Sequence, residues 1–176
     1  MSKGEIHIRN AQKHEFVPLG QLMVEVYSQL NGFPSREQQP AYYNLLANIG
    51  DFTEKPGAEL LVALSNNGDL LGGLVYFSNM AYYGSGGAAP LEKEAAGFRL
   101  LAVNPQARGM GVGRALSQAC IDKAKVQNHS QIIIHTTKTM KIAWAMYEKL
   151  GFKRSPDLDF IQGTLQVYGF RLELRK

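Results

Sequence analysis

A glycine-rich stretch in the second half of the chain has the residue types of a phosphate-binding loop. It runs Gln106-Ala107-Arg108-Gly109-Met110-Gly111-Val112-Gly113-Arg114-Ala115 and precedes a helical pattern of small and apolar residues. Backbone N–H groups at the start of a helix have no partner within the helix, and they lie at the positive end of the helix dipole. The glycines carry no Cβ atom that would hold a phosphate away from these amides, and the two arginines add positive charge. The stretch is therefore predicted to bind an anion.

Two common nucleotide-binding motifs fit this stretch poorly. A P-loop requires Gly-Lys followed by Ser or Thr, whereas Gly113 is followed by Arg114 and Ala115. A Rossmann fingerprint requires its third glycine one residue later than here. It also requires an acidic residue at the end of the next strand, where His135 and Thr136 stand. A nucleotide-dependent oxidoreductase is therefore disfavoured.

Two segments, in order along the chain, resemble motifs of the GNAT superfamily of N-acetyltransferases. Gln106-x-x-Gly109-x-Gly111 resembles the superfamily's acetyl-CoA-binding motif. Residues 143–152, Ala-Trp-Ala-Met-Tyr-Glu-Lys-Leu-Gly-Phe, resemble its Ala-x-x-x-Tyr-x-x-x-Gly-Phe segment. The resemblance covers the C-terminal half of the chain well and the N-terminal half only by pattern, and it implies acetyl-CoA as cofactor and no metal. The cofactor contacts that it implies fall on Leu101, Ala102, Val103, Arg108, Gly109, Met110, Gly111, Val112, Gly113, Arg114, Ala143 and Tyr147.

The same resemblance gives Tyr147 the role of general acid, which donates a proton to the departing thiolate. A phenol with a pKa of about 10 stays protonated at neutral pH and is close enough to a thiol of about 8.5 for this transfer. Ala143 lies one helical turn earlier on the same face and would leave room for the cofactor. The alternative is that Tyr147 only packs beside Phe152. The family often has Asn where Met140 stands, so this cofactor contact falls to Thr139 or to backbone, or is absent.

The general base and the acceptor pocket are harder to assign. Glu94, which precedes the predicted strand at residues 100–103, is taken as the base because several family members place a carboxylate there. Glu92, His135 and Asp159 are competing candidates, although a lone histidine that ends an apolar strand is more often a core residue. Aromatic residues could line an acceptor pocket or pack in the core; they are Phe33, Tyr42, Tyr43, Tyr82 and Tyr83.

Composition indicates a soluble protein with one core. The chain has 176 residues, 45% of them hydrophobic, and this predicts a single domain over residues 1–176. It has no apolar run long enough to span a membrane and no signal-peptide pattern at its start, so a cytoplasmic protein is expected. The single cysteine, Cys120, excludes an internal disulfide and is expected to be a small core residue.

The net charge of +4 is unevenly distributed along the chain. Residues 101–176 hold 12 Lys or Arg against 5 Asp or Glu, an excess of +7 in the half that contains the glycine loop. A cofactor with several phosphates would favour this distribution, although solvated helix faces are an equal alternative. Nucleic acid is not expected as a partner, because no basic stripe with interleaved aromatic residues occurs.

The elements that must position these residues follow from periodicity and turn signals. The pattern predicts strand, two helices, hairpin, strand, helix, strand, helix and strand, with a glycine-rich loop at residues 82–90. Ser35 could cap a further helix, and the alternating tail from Thr164 to Leu174 is expected to form one or two strands, whose edge could pair with a partner in a homodimer. This order matches the GNAT fold. It is an α/β fold with a mixed, mainly antiparallel sheet of about six to seven strands and helices on both faces.

The sequence as a whole therefore predicts an acetyl-CoA-dependent N-acetyltransferase. Its acceptor would be a primary amine of a small molecule or a peptide, acetylated directly without a covalent enzyme intermediate. The alternative is a non-catalytic acyl-CoA-binding module with the same loop and fold but without a productive base.

Overall fold

A computed structural model describes residues 4–175, which form four α-helices and eight strands. The helices are α1 (Phe16–Ser28), α2 (Pro40–Ala47), α3 (Val112–Val126) and α4 (Lys141–Lys149). The strands are β1 (His7–Asn10), β2 (Ala58–Leu64), β3 (Leu70–Phe77), β4 (Ala95–Val103), β5 (Gln131–Thr136), β6 (Lys153–Arg154), β7 (Phe160–Gln162) and β8 (Leu165–Glu173).

The strands form one mixed sheet in the order β1-β2-β3-β4-β5-β8-β6, with β7 paired to β8. Neighbouring strands are antiparallel except β4 and β5, which are parallel. The hairpin between β2 and β3 forms because two apolar runs flank a turn in which Gly68 adopts a φ of +85°. The predicted mixed and mainly antiparallel sheet is confirmed, with eight strands instead of six or seven.

Helices cover both faces of the sheet, as predicted. Leu19 and Leu46 bring α1 and α2 onto one face, and Leu116 and Tyr147 bring α3 and α4 onto the other. Cys120 is fully buried in the core between the sheet and helices α3 and α4, and burial raises the pKa of its thiol well above the ordinary value. Within residues 4–175, every helix is too short or too polar to cross a membrane.

The structure adds two short strands that the sequence pattern did not predict, β6 and β7, and it differs from the prediction in two connecting segments. The tail from Thr164 to Leu174 forms one strand, β8, as predicted, and β8 pairs with β5, β6 and β7. The strand that was expected to pair with a partner chain is therefore largely paired within this chain, and a homodimer stays a prediction without this support. Ser35 does not cap a helix. Its side-chain oxygen accepts a hydrogen bond from the Gln38 N–H, but the residues that follow form only turns. The glycine-rich loop contains two short 3₁₀ turns, Met80–Tyr82 and Ala89–Leu91.

A gap opens in the middle of the sheet between the two parallel strands. β4 and β5 are paired only from Ala95 to Gly97 on β4, although both strands continue beyond that point. A bulge in β4 lies beside the gap, because Leu100 adopts a φ of +63° and the pairing with β3 shifts register there. Backbone groups on this side of β4 are consequently left without a strand partner.

Candidate active site

The gap between β4 and β5 forms a partly open cleft with a volume of about 100 Å³. It is lined from both faces of the sheet, by side chains of α1 and the segment before α2 on one side and of α4 on the other. The lining residues are Tyr27, Phe33, Tyr42, Ser85, Phe98, Arg99, Leu100, Leu101, His135, Thr136, Thr137, Met140, Ala143, Tyr147, Phe160, Gln162, Leu165 and Val167. The cleft thus connects the two faces of the sheet at one point.

Tyr147 presents a free hydroxyl group to this cleft. Its ring is buried against the edges of Phe98 and Phe152, with ring centroids 5.9 and 5.8 Å away. Its hydroxyl makes no hydrogen bond with residues 4–175 and is open to the cleft, which Ala143 also lines one helical turn earlier. Burial raises the pKa of the Tyr147 hydroxyl well above its ordinary value, so the phenol is protonated at neutral pH. The Tyr147 ring thus packs beside Phe152 while its hydroxyl stays free. Packing of the ring is therefore compatible with a role of the hydroxyl in proton donation.

The bulge in β4 is held by a tyrosine that the sequence analysis did not identify. The hydroxyl of Tyr27 on α1 donates to the backbone carbonyl of Leu101 at 3.0 Å. Ala102 and Val103 pair with β3 on one edge and have no strand partner on the other. The edge of Leu101, Ala102 and Val103 that faces the gap is therefore available to an extended ligand. No sequence signal distinguishes Tyr27 from the other apolar residues of its helical stripe.

The glycine loop leads directly into the start of α3. Gly109 and Gly111 adopt φ values of +82° and +83°, which other residues adopt only with strain. Gly111 is the N-cap of α3 and offers no side chain, so the first N–H groups of the helix have no side-chain cap. Arg108 and Arg114 are exposed on either side. An unsatisfied helix start flanked by two cations has the features that the predicted anion site requires. Gly109 and Gly111 are required by backbone conformation, since a Cβ atom at either position would meet no neighbouring atom within 4 Å.

A basic groove continues from this loop between α3 and α4. Its charged residues are Arg114, Lys141 and Lys149, and no acidic side chain lines it. Ile142, Ala145 and Met146 supply the rest of its surface. The lysines occur two helical turns apart on α4, and the sequence analysis gave a solvated face and an anionic cofactor as equal explanations of this basic excess. Their position next to the glycine loop favours an anionic ligand.

The acidic residues considered as a general base lie outside the cleft. Glu94 is exposed at the start of β4, where its backbone carbonyl accepts from the Ser130 N–H at 2.7 Å, and its side chain does not line the cleft. Glu92 forms an ion pair with Arg171 at 2.7 Å. The structure therefore does not bring Glu94 together with Tyr147, because β4 begins at the closed end of the β4–β5 pairing and the cleft lies beyond it.

Asp159 is also held in a structural role. Its two carboxylate oxygens accept from Arg154 at 2.9 and 2.7 Å, and one of them also accepts from the Gly169 N–H at 2.7 Å. Burial alone would raise the pKa of Asp159, but these hydrogen bonds outweigh it and lower the pKa. A carboxylate satisfied in this way is a poor proton acceptor.

His135 lines the cleft with both ring nitrogens engaged. Nε2 lies 2.9 Å from the backbone carbonyl of Leu158, which can only accept, so this nitrogen carries the proton. Nδ1 then accepts from the hydroxyl of Tyr83 at 2.9 Å. Burial lowers the pKa of His135 to about 4, and the ring is neutral. His135 therefore shapes the cleft and has no free nitrogen for base catalysis.

The aromatic residues predicted for an acceptor pocket divide into two groups. Phe33 and Tyr42 line the cleft and pack against each other with centroids 5.7 Å apart, and burial raises the pKa of Tyr42 to about 12. Tyr43 and Tyr83 are buried in the core, and Tyr82 is exposed away from the cleft.

The contact predicted at the position of Met140 also changes. Met140 itself lines the cleft, and the hydroxyl of Thr139 forms a 2.8 Å hydrogen bond with that of Thr137. Thr139 does not line the cleft, whereas Thr136 and Thr137 do, and the Thr136 hydroxyl donates to the Met140 sulfur at 3.5 Å.

Comparisons with known proteins agree with this geometry. A family model described as "Acetyltransferase (GNAT) family" matches residues 23–152. Among curated proteins, N-acetylaspartate synthetase of Danio rerio is 36% identical over 57 residues, which is 32% of this chain and only 20% of that relative's length.

Solved structures extend the likeness over nearly the whole chain. An acetyltransferase of the GNAT family from Staphylococcus aureus has a TM-score of 0.72 at 18% identity, covering 97% of this chain and 100% of that one. The structure of yncA from Salmonella typhimurium, described with its cofactor acetyl-CoA, has a TM-score of 0.69 at 17% identity, covering 97% of this chain and 95% of that one. At such identities these likenesses show the fold. The family model confirms the resemblance drawn from the two motifs.

Proposed function

The chain belongs to the acetyltransferase (GNAT) family, and we propose that it transfers the acetyl group of acetyl-CoA directly to the primary amine of a small molecule. In this proposal residues 1–176 act as one catalytic domain. The observation that carries it is the free hydroxyl of Tyr147, which faces the same cleft as the unpaired edge of β4. The cleft leads on towards the uncapped start of α3.

The residues present fit acetyl-CoA. The phosphate groups would meet the first N–H groups of α3, together with Arg108, Arg114 and the lysines of the basic groove. The extended pantetheine arm would lie along the free edge of Leu101, Ala102 and Val103, where backbone groups can pair with its amides. When bound, the cofactor supplies an acetyl group activated as a thioester.

Tyr147, on the α4 side of the cleft, acts as the general acid in this proposal. As the amine nitrogen bonds to the acetyl carbon and the carbon–sulfur bond breaks, the Tyr147 hydroxyl donates a proton to the departing sulfur. The amine releases its own proton to solvent, from which Tyr147 is reprotonated. The raised pKa keeps Tyr147 protonated but also makes it a weaker proton donor than a free phenol. General acid catalysis of this kind contributes about 10²- to 10⁴-fold.

The shape of the cleft favours a small acceptor over a peptide. Its volume is about 100 Å³, and a 3.1 Å hydrogen bond between the side chains of Gln39 and Gln162 connects the segment before α2 to the hairpin of β7 and β8 beside it. The name of the curated relative, N-acetylaspartate synthetase, is consistent with a small amine, although this chain covers a fifth of that protein.

One observation favours a second candidate, a non-catalytic acyl-CoA-binding module. No carboxylate lines the cleft within residues 4–175, and its histidine is fully engaged. Isothermal titration with acetyl-CoA, followed by a thiol-release assay over a panel of amines, separates the two. Binding with turnover supports the enzyme, binding without turnover of any amine supports the module, and absence of binding contradicts both.

A further inference from the structure

The cleft contains one charged side chain, and that side chain is basic. Arg99 lies on β4 immediately before the bulge and lines the cleft, whereas no Asp, Glu or Lys is among the lining residues. The rest of the acceptor side consists mainly of aromatic and aliphatic groups, among them Phe33, Tyr42, Phe160 and Leu165. The acceptor side therefore combines a single cation with apolar walls.

Arg99 has no acidic partner among residues 4–175. The guanidinium makes one hydrogen bond, from Nη1 to the backbone carbonyl of Tyr83 at 2.8 Å, and its central carbon lies 5.7 Å from the centre of the Tyr83 ring. A guanidinium has five N–H donors, so four of them are left for water or a ligand. A half-buried arginine in an apolar cleft is a favourable partner for an anion, because little water competes for its donors.

The nearby carboxylates are used elsewhere and do not compensate this charge. Asp159 precedes Phe160 of the cleft wall but is held by both oxygens on Arg154. Glu92 is paired with Arg171. The positive charge in the cleft is consequently left for a bound molecule, and a polycationic acceptor would meet repulsion there.

We propose that Arg99 binds the carboxylate of the acceptor, and that the acceptor is a free amino acid. This inference rests on the proposed acetyl transfer. The carboxylate would accept two parallel hydrogen bonds from the guanidinium, which Tyr83 holds in place through its backbone carbonyl. The amine on the neighbouring carbon then meets the reacting centre beside the β4 bulge, and the aromatic wall of Phe33 and Tyr42 receives the amino acid side chain.

The test compares amines that differ only in the carboxylate. Thiol release from acetyl-CoA is measured with the twenty free amino acids, and each active one is compared with its carboxamide and with its decarboxylated amine. We expect at least one amino acid to be acetylated, with a kcat/KM roughly 10- to 100-fold above those of its two analogues, as the loss of a bidentate charged contact predicts. Equal or better turnover of the analogues would overturn the proposal, as would turnover of no free amino acid.

Two variants assign the preference to Arg99. In Arg99→Gln the preference for the acid over the amide should fall to near unity, mainly through a higher KM for the amino acid. Arg99→Lys should retain part of the preference, because it keeps the positive charge but loses the planar guanidinium that donates two parallel hydrogen bonds. The matched control is Arg36→Gln, which removes the same charge from an exposed residue outside the cleft and should keep the wild-type preference. An undiminished preference in Arg99→Gln would also overturn the assignment.

Acetyl-CoA titration of the same preparations distinguishes this inference from the function on which it rests. If acetyl-CoA binds and amines are acetylated without regard to a carboxylate, only the role of Arg99 fails. If acetyl-CoA does not bind, the acetyltransferase proposal fails first. The melting temperature of Arg99→Gln shows whether the variant is folded, and Arg99→Lys remains informative if it is not.

Discussion

Replacing Tyr147 by Phe removes one oxygen atom from the cleft and leaves the packing intact. The ring keeps its edge contacts with Phe98 and Phe152, and the hydroxyl has no partner among residues 4–175 that would be left unsatisfied. The change in unfolding free energy should therefore be within about 0.5 kcal/mol. Any large effect of the substitution must then be chemical.

The expected chemical effect is a loss of proton donation to the departing sulfur. General acids contribute about 10²- to 10⁴-fold, so kcat in Tyr147→Phe should fall roughly 100-fold or more. Thiol release at saturating acetyl-CoA and amine measures kcat, and isothermal titration measures the affinity for acetyl-CoA, which should stay within about twofold because the phosphate contacts are distant.

A second buried tyrosine provides the control for this experiment. Tyr76 is fully buried, donates from its hydroxyl to Gln127 at 2.7 Å and does not line the cleft. Tyr76→Phe should reduce stability and leave kcat at the wild-type value. A kcat for Tyr147→Phe within twofold of wild type would refute the general-acid role, and equal losses of kcat and acetyl-CoA affinity would indicate that the hydroxyl only positions the ligand.

Three further predictions concern Gly111 in the glycine loop, His135 in the cleft and Glu94, which the sequence analysis took as the general base. Gly111→Val forces a β-branched residue into a φ of +83° at the N-cap of α3 and should weaken acetyl-CoA binding about 10-fold by titration, whereas Gly68→Val, with the same strain in the β2–β3 hairpin, should lower stability only. Because the folded-state pKa of His135 is lowered to about 4, its neutral form stabilises the fold above the ordinary pKa of about 6.5. That contribution, roughly 3 kcal/mol, should be lost as pH falls from 6.5 to 4, and denaturation at these pH values should show a smaller loss in His135→Asn. Glu94→Gln should keep the wild-type pH–rate profile in the thiol-release assay, and a lost acidic limb would return Glu94 to the mechanism.

Apolar patterns and turn signals were sufficient to predict most of the fold. The helical stripe on α1 and the two apolar runs of β2 and β3 on either side of a turn leave little choice of secondary structure. The features that the sequence analysis did not predict are those whose local sequence gives little indication of secondary structure. The first part of β4 is Ala95-Ala96-Gly97, whose small residues do not resemble a strand. These residues are extended because β5 pairs with all three and β3 pairs with Gly97. The two-residue strand β6 exists only through its pairing with β8.

The candidate site was predictable where a family motif carries the information, and not where long-range packing does. The glycine loop and Tyr147 lie within the two motifs, and the structure places them at the start of α3 and in the cleft. Glu94 was chosen for its sequence position before β4, but only the structure shows that the gap opens after Gly97. Arg99 and Tyr27 come from separate parts of the chain, and their shared cleft results from how α1 packs across β4.

The absence of a carboxylate among the described cleft residues changes how deprotonation of the acceptor has to be understood. An ammonium ion that enters the cleft leaves water, meets aromatic walls and lies near the guanidinium of Arg99, and both burial and like charge lower its pKa. A carboxylate on the same molecule offsets the charge of Arg99, but the loss of solvation remains. On the proposed function, the neutral amine is therefore favoured by the environment of the cleft, and its proton passes to solvent instead of a dedicated side chain. Tyr147 then supplies the only proton transfer that the reaction requires from the protein, which is why one hydroxyl group can account for most of its chemical contribution.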